Sequence, residues 1–102
     1  MIITPLAEAL RRDAAVLLDA YRTHRWVPQP GERELADELA RGRWDAQFLR
    51  AALRKVPPDA RGGRLIDVLE PATEVFDQAA DKVPAAVMLQ LRVLVDALTT
   101  TP

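Results

Sequence analysis

The chain has 102 residues, 49% of them hydrophobic, enough for one small domain that buries roughly two-thirds of its unfolded surface without a covalent staple. It contains no cysteine, serine or asparagine and a single histidine, His24. That excludes disulfides, thiolate and serine nucleophiles, and metal sites built on cysteine or on paired histidines. Fourteen basic residues against fifteen acidic ones give a net charge of −1, so no global field draws the protein to nucleic acid or to a membrane surface.

Met1-Ile2-Ile3-Thr4-Pro5 lacks a basic n-region, so no signal peptide is expected. No run reaches the ~18 apolar residues of a membrane span, and the expected location is the cytoplasm. Alanine, leucine and arginine supply 43 of the 102 residues, all near the top of the helix scale. No Asn-Gly or Asp-Gly hairpin signal occurs. The composition predicts an all-α fold: one compact bundle of five to six short helices over residues 1–102.

Thr4 and Pro5 predict the start of a first helix running to about Arg25, because proline at the first helical position loses no hydrogen bond. Leu6, Leu10, Ala14, Leu17 and Tyr21 form its inner face. Pro28 and Pro30 force an extended link, over which Trp26 is expected to fold back onto the core. A second helix is expected from Glu32 to Arg41, stopped by Gly42, and a third from Ala46 to Val56. Asp45 is its expected cap, with Trp44 and Leu49 forming a hydrophobic staple. Residues 57–63 read as a mobile loop, Leu65–Leu69 as a short apolar piece, and Pro71 as the start of a helix to about Val83. Pro84 opens a last helix to about Leu98, and residues 99–102 read as a frayed tail.

Charge is unevenly distributed. Residues 41–64 hold seven basic side chains against Asp45 and Asp59. Arg43, Gln47, Arg50, Arg54 and Lys55 would line the outside of the third helix, a basic face for a protein partner or for nucleic acid. The helix before it is acidic and the pI is about 5.8, which weighs against DNA. Arginine stems covering apolar surface give the plain structural reading. Asp67, Glu70, Glu74, Asp77 and Asp81 recur at spacings of three and four, and on a continuous helix they form one acidic docking face. Such a stripe is also the ordinary solvated side of an amphipathic helix. It lacks the Asp-x-Asp-x-Asp-Gly pattern of a calcium loop, and no metal site is expected.

His24 near the end of the first helix suits a terminal position without catalysis, since nothing places a nucleophile or an oxyanion hole beside it. Gly62-Gly63-Arg64 outlines a weak anion-binding loop before a helix but has no P-loop pattern, and a flexible connection is the expected reading. Apolar residues surround almost the whole last helix. That predicts either a central helix or symmetric self-association through Val87, Leu91, Leu94 and Leu98. The sequence as a whole reads as a non-enzymatic interaction module without cofactor: an adaptor, an inhibitor or antitoxin-like protein, or an assembly factor. It would take a protein partner or a second copy of itself and no membrane. The alternative is a DNA-binding regulator using a helix-turn-helix-like pair at 32–56.

Overall fold

A computed structural model describes residues 5–57, 62–79 and 82–99. Within them the chain forms five helices and no strand: α1 (Pro5–Arg22), α2 (Pro30–Arg41), α3 (Ala46–Arg54), α4 (Arg64–Ala79) and α5 (Ala85–Thr99). The principal helix contacts close a ring in which α1 packs on α4, α4 on α3, α3 on α2, α2 on α5, and α5 back on α1. The radius of gyration is 12.8 Å, the size of a compact chain of this length.

Local chemistry sets the end of α1 and the boundaries of α2 and α3. α1 ends three residues short of the expected Arg25. His24 takes a left-handed conformation with φ 61°, its N–H donates to the Tyr21 carbonyl, and the Arg25 N–H donates to the Ala20 carbonyl at 2.8 Å. This is a Schellman ending with histidine where glycine is usual. The turn brings Trp26 back against the core, edge-on to Tyr21 with ring centroids 6.0 Å apart, as the sequence suggests. Pro30 starts α2 two residues earlier than expected. Asp45 caps α3 as expected, accepting from the Phe48 N–H at 2.8 Å.

Gly42 does stop α2, but in an extended conformation with φ −106°. Glycine is needed there because the Phe48 ring occupies the space that a Cβ would fill.

The largest departure is α4. Instead of a short apolar piece followed by a helix starting at Pro71, one helix runs from Arg64 through Pro71 to Ala79. A proline inside a helix costs about 3 kcal/mol through its missing hydrogen bond and ring clash. Leu65, Ile66, Val68 and Leu69 before it and Ala72, Val75 and Phe76 after it are all buried in the same core. Burial of each large side chain contributes roughly 1.5–3 kcal/mol, so the shared core holds both halves in one helical register.

Val87, Leu91, Leu94 and Leu98 are only 0–3% exposed. They belong to this chain's own core, with α5 packed against α1 and α2. The face expected to bind a second copy is therefore occupied within the molecule. Nor is α5 enclosed on all sides, because Leu89 on its outer surface is 65% exposed. Most of the expected loop (58–61) and tail (100–102) lie outside the described residues.

Candidate functional site

The continuity of α4 decides the geometry of the acidic stripe. Asp67, Glu70, Glu74 and Asp77 are all exposed along one side of the uninterrupted helix, and Asp81 lies outside the described residues. Like charges three and four residues apart oppose one another, and carboxylates late in a helix oppose its dipole. No basic residue occupies the last turn of α4 to offset them. Asp77 is met from α3 instead, where the Arg50 guanidinium lies 3.1 Å from its carboxylate.

The expected basic face is largely engaged within the molecule. Arg50 pairs with Asp77, the Lys55 ammonium lies 2.6 Å from Glu38 on α2, and Arg43 lies 3.8 Å from Asp45. Gln47 and Arg54 are exposed on α3 and make no ion pair among the described residues. The basic segment thus ties α3 to both of its neighbours in the ring, a role that the sequence could not separate from partner binding.

Glu32 was missed as a distinct residue by sequence reasoning. It is 1% exposed, and its carboxylate joins two helix starts. One oxygen accepts from the Gln29 N–H at the head of α2 at 3.0 Å, and the other from the Leu65 N–H at the head of α4 at 2.8 Å. A Cβ on Gly63 would lie 2.5–2.8 Å from this carboxyl group. The glycine turn before α4 does hold an anion, and the anion is the chain's own glutamate.

A cleft of about 390 Å³ opens where α1 meets the 23–29 link. Tyr21, Trp26, Val27 and Pro28 supply its apolar surface, and Arg22, His24 and Arg33 supply its polar groups. Trp44, beside another shallow cleft, lies under the Arg92 guanidinium, 5.6 Å from ring centroid to carbon. On the outside of α1, Arg11 donates two hydrogen bonds to Glu8, at 3.2 and 2.5 Å. These hold the Glu8 carboxyl below its ordinary range and raise Arg11. Among the described residues no group of three metal-ligating side chains converges, and no helix is long and apolar enough to cross a membrane.

No protein family matches the chain, no curated protein matches it in sequence, and no solved structure matches it in fold.

Proposed function

We propose that this chain is a small helical-bundle interaction module, an adaptor or inhibitor rather than an enzyme, that docks a basic protein surface on the acidic side of α4. The observation that supports this reading is the alignment of Asp67, Glu70, Glu74 and Asp77 on the exposed side of one continuous helix. Each like-charge neighbour in that row costs a helix about 0.2–0.5 kcal/mol. Asp67 in the first turn suits the helix dipole and Asp77 is met by Arg50, while the row as a whole suits electrostatic steering of a cationic partner. Carbodiimide cross-linking in native extract, which couples carboxylates to lysines, is expected to join this side of α4 to one recurrent partner. The partner should be lost in an Asp67→Lys/Glu74→Lys variant that stays folded. Cross-links scattered over all exposed carboxylates, or a partner that survives the reversal, would overturn the proposal.

The DNA-binding alternative draws on the exposed Arg43, Gln47 and Arg54 around α3. It predicts duplex binding that weakens steeply with salt and is lost in Arg43→Ala/Arg54→Ala. Indifference of that binding to the α4 reversal would separate the two readings.

A further inference from the structure

We infer that the cleft between the end of α1 and the 23–29 link is a second docking site, of opposite polarity to α4, that takes an acidic peptide segment carrying an apolar anchor. The cleft combines two features that normally occur apart. Its surface is apolar and aromatic, from Tyr21, Trp26, Val27 and Pro28, and Val27 is left 71% exposed. Its charged lining is basic, from Arg22 and Arg33, with the His24 imidazole and the Tyr21 hydroxyl beside them and no carboxylate among the described lining residues. Arg22 and Arg33 make no ion pair among the described residues, unlike neighbouring Arg25, which pairs with Asp19. Two uncommitted guanidiniums beside an aromatic surface select a carboxylate-bearing ligand with an apolar body.

The backbone supports the same assignment. His24 holds the left-handed position that ends α1, a conformation that glycine adopts more readily than any residue with a side chain. This places an imidazole, rather than the usual glycine, at the turn that lines the cleft. The cleft is an open surface feature formed by a link and a helix end, a shape that suits an extended segment lying across it. Together with the acidic side of α4, it would give the module two separate surfaces whose opposite charges select different partners.

The test uses fluorescein-labelled hexapeptides of the pattern Glu-Glu-x-x-Glu-Glu, with x drawn from all pairs of Leu, Ile, Val, Phe, Tyr and Trp, titrated with the full chain by anisotropy. Binding by a subset is expected, at least tenfold weaker when the glutamates are replaced by lysine or both anchors by serine. Arg22→Glu/Arg33→Glu should abolish it with an unchanged helical circular dichroism spectrum. His24→Gly, which relieves the turn, should weaken it without loss of stability. Asp67→Lys/Glu74→Lys should leave it intact, so this site and the α4 surface can fail separately. The inference is overturned if no peptide binds up to millimolar concentration, or if anchor-free peptides bind equally well. It is also overturned if binding survives the Arg22/Arg33 reversal, or if phenylacetate competes as tightly as the best peptide, which would mark a small-molecule pocket.

Discussion

At Glu32 a carboxylate is removed from water without a cation beside it among the described residues. An isolated buried charge is costly, and here the cost is offset by the N–H groups and positive dipole ends of two helices at once. Glu32→Gln keeps the shape but has only one acceptor oxygen, so one buried N–H is left unmatched, at a cost of about 1–3 kcal/mol. Glu32→Ala strips both and leaves a void, for a loss of roughly 2–5 kcal/mol. Urea unfolding should show the midpoint falling in that order at constant slope. A Glu32→Gln variant within about 0.5 kcal/mol of the parent would mean that the bridge contributes nothing. Only half of this residue's role was legible in the sequence. Its place three positions after Gln29 is a local capping pattern. Its second partner, Leu65, is 33 residues away, and no local pattern pairs it with Glu32 rather than with Glu34, Asp37 or Glu38.

Some elements were read correctly from a cap or a proline acting on its own neighbours, although the start of α2 at Pro30 and the end of α1 were misplaced by two and three residues. The largest error arose where tertiary packing overrode the local signal. Asp45 capping α3 and Pro84 preceding α5 belong to the first kind. Pro71 belongs to the second. Its local meaning is a helix start, yet the buried residues Leu65, Val68, Leu69, Ala72, Val75 and Phe76 keep helical spacing straight across it. The continuous spacing was present in the sequence, but choosing it over the proline required knowing that both halves share one core. The same continuity aligns the acidic side of α4, so the candidate site was readable as a spacing and became a surface only through the fold. Because Pro71 is only half-buried, replacing it with alanine restores a backbone hydrogen bond and removes a clash while disturbing little packing. Part of the gain is offset by a freer unfolded chain. Pro71→Ala is expected to stabilise the protein by about 1–2 kcal/mol in urea unfolding. A loss of stability instead would mean that the proline shapes α4 in a way the rest of the molecule depends on.

For the whole molecule the question is what covers α5. A helix apolar on nearly every side says that it is buried, but a central helix and a subunit interface write the same pattern. The ring supplies the answer for Val87, Leu91, Leu94 and Leu98, which are covered by the chain itself. Leu89 stays outside. Two substitutions on one helix should therefore behave oppositely. Leu94→Ala, at a site 0% exposed, should cost about 2–5 kcal/mol. Leu89→Glu should stay within about 0.5 kcal/mol of the parent, as exposed sites do. A folded monomer that buries α5 internally should also unfold at one temperature over about two decades of protein concentration, because mass action raises the melting temperature only when association contributes to the folded state. If the melting temperature climbs with concentration and Leu89→Glu removes the climb, a second copy seats on the outer side of α5. If Leu94→Ala is tolerated while the mass falls, the assignment of α5 to the chain's own core is wrong. A flat melting temperature with a severe Leu94→Ala and a silent Leu89→Glu leaves the charged surface of α4 and the arginine-lined cleft as the places where partners act.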